Sequence, residues 1–269
     1  MNQDSLATAL NDSDSVARLA AIGEVAEHSH DTLSEPALDA LIRCLGANRK
    51  IIQRRAAEAL AASAPHDARI LEKLHAAHSD NDSRMRWGTA YALGLIDDAL
   101  DLRAMPALVE ALASSDGDVR WAAAELVVRL GKKHRDAISG QLIALARDAN
   151  LNARKMALYC LRDVGGPIDE LISIAEHCCG ENHSLLKMAA LSLLARLENG
   201  GHGAAVLAIR LLENDPDAGV RRCAAVALGH IGNRSPRVVE VLTQVAKQED
   251  DIYMKRAAQA ALARLGATA

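Results

Sequence analysis

Apolar residues recur along this chain with two periods, the short period of an α-helix and a longer one of about 34 residues. In segment 119–131 the apolar residues fall on one helical face, and they are Val119, Ala123, Leu126, Val127 and Leu130. This segment aligns without gaps on segment 220–232. The same amphipathic helix therefore occurs more than once, and the pattern predicts a tandem helical repeat.

Equivalent apolar positions, which we call anchors, begin the second helix of each repeat. The anchors are Val16, Ile52, Met85, Val119, Ala153, Leu186, Val220 and Met254. Each is predicted to start a buried stripe. Short polar residues three positions earlier are predicted N-caps, namely Asp82, Asp116, Asn150, Asp217 and Asp251. Glycines are predicted to end four of these helices, at Gly131, Gly165, Gly232 and Gly266.

Shorter apolar runs between the anchors predict the first helix of each repeat. These are Leu6–Leu10, Pro36–Leu45, Ala68–Ala77, Pro106–Ala113, Ala137–Ala146, Ile168–Cys178, Ala204–Leu212 and Pro236–Ala246. One helical hairpin cannot bury its apolar face alone, so the hairpins are expected to stack. We therefore predict an all-α fold, an α-solenoid of about eight two-helix repeats that forms a single domain over residues 1–269.

The composition supports helices and narrows the class of protein. Half of the residues are hydrophobic, yet the chain has no Phe, two Trp and three Tyr, and alanine and leucine favour helices. A net charge of −4 argues against nucleic acid as the partner. No apolar run is long enough for a membrane span, and no secretory signal is evident. Five scattered cysteines suit a reducing compartment, so the prediction is a cytoplasmic protein.

The repeating pattern Asp-x-x-Val-Arg-x-x-Ala-Ala-x-Ala-Leu-Gly resembles HEAT-like repeats, in particular the short repeats of the phycobilisome bilin lyase family. The resemblance covers nearly the whole chain. It implies that the second helices line the concave wall of a right-handed superhelix. A related enzyme, deoxyhypusine hydroxylase, resembles the chain in its repeats and binds iron through His-Glu pairs. This chain has no His-Glu dipeptide, and Trp121-Ala122 and Arg222-Cys223 occupy the corresponding positions.

The sequence offers little catalytic chemistry. Its densest group of metal-ligand residues is His177-Cys178-Cys179 with His183. Neighbouring cysteines on a helix point about 100° apart, so buried thiols are the better interpretation than a zinc site. Neither a phosphate-binding glycine loop nor a nucleophile elbow is present. We predict no catalytic residues, no metal, no cofactor and no enzymatic activity.

Basic residues one position past the anchors form a ladder of Arg86, Arg120, Arg154, Lys187, Arg221 and Lys255. This ladder could hold an anion. The favoured interpretation is structural, because the resemblance to HEAT-like repeats implies that such residues bridge to the turn aspartates of adjacent repeats.

The second position past the anchors carries the most informative residues, which are Arg18, Arg54, Trp87, Trp121, Lys155, Met188, Arg222 and Arg256. Four residues later, on the same helical face, lie Tyr91, Glu125 and Tyr159. One interpretation is that large residues fill space where the superhelix curves. The favoured hypothesis is a concave partner-binding groove with an aromatic centre and cationic ends, formed by Trp87, Tyr91, Trp121, Glu125, Tyr159, Arg54, Lys155 and Arg222, with Arg18 and Arg256.

The leading functional hypothesis is a non-catalytic protein-binding scaffold or adaptor, such as an assembly or maturation factor. Its partner would be another protein that offers an acidic and apolar segment. One alternative is a subunit similar to bilin lyases that holds a tetrapyrrole. Another is a DNA glycosylase of the HEAT-like type, which Trp121 and Glu125 fit loosely and the net charge opposes. The polar last helix, Met254–Leu265, suits the end of a monomer.

Overall fold

The structure is a computed structural model that describes residues 2–96, 98–197 and 201–267. Every regular element within these ranges is helical. The first helices of the repeats are α1 (Gln3–Leu10), α3 (Glu35–Arg43), α5 (Arg69–Ala76), α7 (Met105–Leu112), α9 (Arg135–Leu145), α11 (Ile168–Gly180), α13 (Gly201–Asn214) and α15 (Pro236–Gln248). The second helices are α2 (Ser15–Glu27), α4 (Lys50–Ser63), α6 (Ser83–Leu95), α8 (Gly117–Lys133), α10 (Leu151–Val164), α12 (Ser184–Leu194), α14 (Ala218–Ile231) and α16 (Ile252–Leu265).

These helices form two-helix repeats, and the predicted all-α solenoid is confirmed. Short 3₁₀ turns extend three of the first helices, at Cys44–Gly46, Ala77–Ser79 and Leu102–Ala104. Each predicted N-cap is also confirmed, since a side-chain oxygen of each accepts a hydrogen bond from an amide of the first turn: Asp82, Asp116, Asn150, Asp217 and Asp251.

Three of the four predicted glycine stops are confirmed and one is wrong. Gly165, Gly232 and Gly266 follow the last residues of their helices with positive φ angles. Gly131 instead lies inside α8, which continues to Lys133. A Cβ atom at Gly131 would lie 2.5 Å from Cγ2 of Val164. The glycine therefore permits the close approach of α8 to α10.

The chain divides into two compact units. Unit 1 comprises Met1–Ala111 with Trp121–Leu126, and unit 2 comprises Leu112–Arg120 with Val127–Ala269. In unit 1, α4 packs between α2 and α6. In unit 2, the second helices α10, α12, α14 and α16 pack in chain order and more extensively on one another than the first helices do.

Alanine and glycine allow this close packing of second helices. A Cβ atom on Gly229 of α14 would lie 2.7 Å from Cα of Ala261 on α16. Ala224, Ala225 and Ala258, four or five positions past their anchors, are fully buried. Together with leucines, these residues form a core between the two helix layers of each unit.

One predicted core position is wrong. The anchor Val16 is 72% exposed, whereas the anchors Ile52, Ala153 and Leu186 are buried. Val16 opens the second helix of the first repeat, which has a neighbouring repeat on one side only among the described residues. Among all the residues that the structure describes, no helix is both long enough and apolar enough to cross a membrane.

Candidate partner-binding surface

Two of the basic residues one position past the anchors, Arg120 and Arg221, form hydrogen bonds to the turns of their own repeats. Nη1 of Arg221 donates to the carbonyl oxygens of Asp215 and Pro216, at 2.9 and 3.1 Å. Arg120 donates in the same way to the carbonyl oxygen of Ser114, at 2.7 Å. These bonds satisfy backbone acceptors in the turns that precede the second helices.

Other members of the ladder form ion pairs with the next repeat. Arg86 lies 2.6 Å from Glu110, and Lys187 lies 2.5 Å from Asp215. The Lys187 and Asp215 side chains are only 12% and 2% exposed. Arg154 pairs with Glu181, and its hydrogen bonds hold the pKa of that carboxyl below its usual value. Five of the six ladder residues therefore have a structural role, but only Lys187 bridges to a turn aspartate of the next repeat as expected. Arg86 and Arg154 pair with glutamates instead, and Arg120 and Arg221 bind carbonyl oxygens of their own turns. No ion pair of Lys255 occurs within the described residues.

The residues two positions past the anchors have a different environment. In unit 1, Trp87 and Tyr91 lie one turn apart on α6, and their ring centroids are 5.7 Å apart with the planes tilted by 37°. Both side chains are half-buried. Trp121 on α8 is 55% exposed, with exposed Glu125 one turn later. We call Trp87, Tyr91 and Trp121 the aromatic surface. Arg54, exposed on α4, is the predicted cation of the same unit.

The remaining predicted site residues lie in unit 2. Lys155 and Tyr159 are half-buried on α10. The guanidinium carbon of Arg162 lies 5.7 Å from the centroid of the Tyr159 ring, a cation–π contact. Burial raises the pKa of the Tyr159 phenol. Arg222 is exposed on α14.

Arg222 lines an open cavity of about 770 Å³ on the second-helix face of unit 2. The floor of this cavity is apolar and includes Met188 and Leu191 of α12 and Val226 of α14. Five basic side chains surround the floor, and they are Arg162, Arg196, Arg222, Arg256 and His230. We call this cavity, with these eight residues, the basic groove.

A second cavity of about 940 Å³ adjoins the basic groove and shares Arg162, Arg196 and His230 with it. Asp163 lines both cavities, and its carboxylate is paired with Arg162 at 2.7 Å. Among the described lining residues, no other carboxylate is present. Burial lowers the pKa of His230, and the positive charges of Arg264 and Arg196 lower it further.

The sequence reasoning found Arg222 and Arg256 but missed Arg196 and His230. A signal for them exists, because the tenth position past four anchors is basic, at Arg129, Arg196, His230 and Arg264. These residues lie at the ends of the second helices, two turns from the second position. The basic groove therefore extends farther along the helices than the predicted stripe.

The cysteines of the one dense cluster are buried thiols. Cys178 and Cys179 lie in the core of α11, and burial raises the pKa of Cys179 to about 12. Such a thiol is protonated at neutral pH and is a poor metal ligand. Across residues 2–96, 98–197 and 201–267, no group of three or more His, Cys, Asp or Glu is placed to hold a metal ion.

A comparison with protein families matches the chain to the model of HEAT repeats over residues 38–128 and 168–263, more than half of its length. A search of curated proteins by sequence finds no match.

Solved structures with a similar fold include two karyopherins. A Kap121p mutant aligns with a TM-score of 0.71 and 11% identity over 98% of this chain and 34% of its own length. Yeast importin-beta (Kap95p) aligns with a TM-score of 0.64 and 11% identity over 97% of this chain and 40% of its own. The chain thus spans about a third to two-fifths of these relatives. The YIBA_ECOLI protein aligns with a TM-score of 0.57 and 16% identity over 99% of this chain and 93% of its own.

Proposed function

This chain belongs to the HEAT-repeat family, and we propose that it is a non-catalytic scaffold or adaptor that holds another protein on the face of its second helices. The proposed binding residues are those named from the sequence, in unit 1 and in unit 2: Trp87, Tyr91, Trp121, Glu125, Arg54, Lys155, Tyr159 and Arg222. The proposed partner offers a segment of acidic and apolar residues.

The observation that carries the proposal is the exposure of Trp121. More than half of this indole is open to solvent in a chain whose buried core consists mainly of leucine and alanine. Tryptophan is one of the side chains enriched at the energetic centres of protein interfaces. Trp87 and Tyr91, in contact with each other on α6 of the same unit, add to the apolar area available to a partner on unit 1.

Structural relatives support protein as the class of ligand. Kap121p has been solved bound to the extreme C-terminus of the protein phosphatase Cdc14p, and in other structures to Ste12p and Nup53p. Each of these is a protein or a protein segment held by a HEAT-type solenoid. For the present chain we extend the proposal to a cytoplasmic monomer in which residues 1–269 act as a single domain, with a role such as assembly or maturation of its partner.

A pull-down from native extract tests the proposal. The tagged wild-type chain is compared with the Trp87→Ala/Trp121→Ala variant, and captured proteins are quantified by mass spectrometry. The control variant Leu102→Ala/Val206→Ala removes exposed apolar side chains that lie outside the proposed surface. We expect the tryptophan variant to lose a specific partner that the control retains, with unchanged helical circular dichroism. Retention of that partner by the tryptophan variant would overturn the proposal.

The two alternative functions have their own readouts. An open-chain tetrapyrrole added to the purified chain would acquire a red-shifted, protein-bound absorption band if the chain resembles bilin lyases in function. Salt-dependent binding of duplex DNA would support the glycosylase alternative. Either result, in the absence of a protein partner that requires Trp87 and Trp121, would replace the scaffold proposal.

A further inference from the structure

We propose that the basic groove of unit 2 binds an acidic amphipathic helix of a partner protein. Carboxylates of that helix would pair with the basic side chains at both sides of the groove, and its apolar stripe would cover the floor. This inference rests on the proposed function and assigns a chemistry to one part of the binding face.

The charges of the groove argue for an acidic ligand. Arg196, Arg222 and Arg256 form no ion pair with any described residue, although Arg162 in the same cavity is paired with Asp163. The ladder residue Lys187 nearby is paired as well. The chain as a whole has a net charge of −4, whereas among the described lining residues of the groove positive charge exceeds negative charge. Complementary charge on the ligand would do so.

The spacing of the cations argues for a helix. Arg222, Val226 and His230 lie four residues apart on α14 and therefore on one helical face. Eight residues of helix separate the first and last by about 12 Å along the axis. The groove thus has cationic Arg222 and Arg256 at the helix starts, and a second row of basic side chains, Arg196 and His230, at the helix ends. An α-helix with its side chains is about 10–12 Å wide and fits between the two rows.

The floor of the groove argues for protein over other anionic ligands. Met188, Leu191 and Val226 present an apolar surface between the rows, and the exposed ring of Tyr253 lies at its edge. A phosphate group or a nucleic-acid backbone gains nothing from such a floor. An amphipathic helix buries its apolar stripe on it, which is a common mode of helix recognition in a groove.

The test uses synthetic peptides with the full chain. A fluorescein-labelled 18-residue helical peptide of Glu, Leu and Ala is titrated by fluorescence anisotropy. Three matched peptides replace Glu by Gln, Glu by Lys, or Leu by Ser. We expect the acidic amphipathic peptide to bind at least about tenfold more tightly than any of the three, because both the charge and the apolar stripe contribute.

Variants locate the binding. Arg222→Glu/Arg256→Glu is expected to weaken binding of the acidic amphipathic peptide by about tenfold or more. The control Arg234→Glu/Lys247→Glu makes the same change in net charge outside the groove and should weaken it by less than about twofold. Val226→Ser, at an exposed position, should weaken binding through the floor without adding a charge beside the cations. Circular dichroism verifies that each variant is folded.

Three outcomes would overturn the inference: equal binding of the Glu and Gln peptides, equal effects of the groove and control variants, or competition by duplex DNA as strong as that by unlabelled peptide.

The Trp87→Ala/Trp121→Ala variant separates this inference from the proposed function. If that variant retains the extract partner while the groove variant loses peptide binding, the aromatic surface fails and the groove stands. If partner capture needs the tryptophans but no peptide binds, the groove fails and the scaffold stands.

Discussion

The two units differ at the same position of the repeat. Two residues past the anchor, unit 1 has both tryptophans, Trp87 and Trp121, as well as two arginines. Unit 2 has no aromatic residue at this position, and its Arg222 and Arg256 lie beside an apolar floor. One position earlier the units agree, because Arg86 in unit 1 and Arg221 in unit 2 both donate to carbonyl oxygens of their own turns. The first position therefore serves the fold, and we propose that the second serves recognition.

The comparison has a physical basis. A side chain one residue past the anchor points toward the turn and the next repeat. There it donates to backbone carbonyl oxygens or pairs with a carboxylate. A side chain two residues past the anchor lies about 100° farther around the helix, on the face opposite the first helices. Side chains there range from half-buried, as Trp87 and Lys155 are, to exposed, as Trp121 and Arg222 are, so aromatic and cationic residues are both compatible with the fold.

The largest expected effect is a difference in the free energy of unfolding between substitutions at the first and second positions past the anchor in unit 2. Lys187→Met leaves the buried carboxylate of Asp215 without its ion pair and should lower the free energy of unfolding by about 3–5 kcal/mol. Arg222→Met, on the exposed neighbouring stripe, should change it by less than about 0.5 kcal/mol. Urea denaturation followed by circular dichroism measures both. Equal losses would contradict the division between fold and recognition positions.

A smaller loss of stability is expected when a methyl group is added where helices pack closely, in either unit. A Cβ atom on Gly88 would lie 2.3 Å from the carbonyl oxygen of Leu45 in unit 1, and one on Gly229 would lie 2.7 Å from Ala261 in unit 2. Gly88→Ala and Gly229→Ala should each cost about 1–3 kcal/mol through overpacking. Gly140→Ala on α9 has open space and should stabilise the protein by up to about 1 kcal/mol. Thermal unfolding of the three variants checks this order, and destabilisation by Gly140→Ala would contradict it.

The smallest expected effect concerns pH and the basic groove. The pKa of His230 is lowered by burial and by Arg196 of α12 and Arg264 of α16, so its imidazole is largely neutral at pH 7. A bound carboxylate would favour the protonated form. Binding of the acidic amphipathic peptide should therefore take up a proton and tighten a few-fold as the pH falls from about 8 to 6. His230→Gln should remove the pH dependence of peptide affinity in anisotropy titrations. If the variant keeps the wild-type pH dependence, another group causes it.

The repeat was predictable because it depends on local rules. Caps such as Asp217 and anchors such as Val220 show their roles through residue type and spacing alone. Gly131 was misread because glycine serves equally to end a helix and to let two helices approach. Only the position of Val164 distinguishes these roles. The division into two units has no counterpart in the sequence, where the repeat continues without a break.

The candidate site was predictable only in part. The stripe two residues past the anchors includes the exposed Trp121 and the groove residue Arg222. The sequence could not show that Arg162 is neutralised by Asp163 while Arg196 has no such partner among the described residues. Both arginines follow similar patterns, and pairing depends on side-chain geometry in three dimensions.

Fluorine NMR tests the central claim that the second-helix face is a recognition surface. The chain has two tryptophans, and both belong to the aromatic surface, so labelling with 5-fluorotryptophan gives two signals, one for Trp87 and one for Trp121. Addition of the unlabelled extract partner should shift or broaden the Trp121 signal, while the acidic peptide alone should leave it in place. A partner that co-elutes with the chain in gel filtration and leaves both signals unchanged would contradict the account.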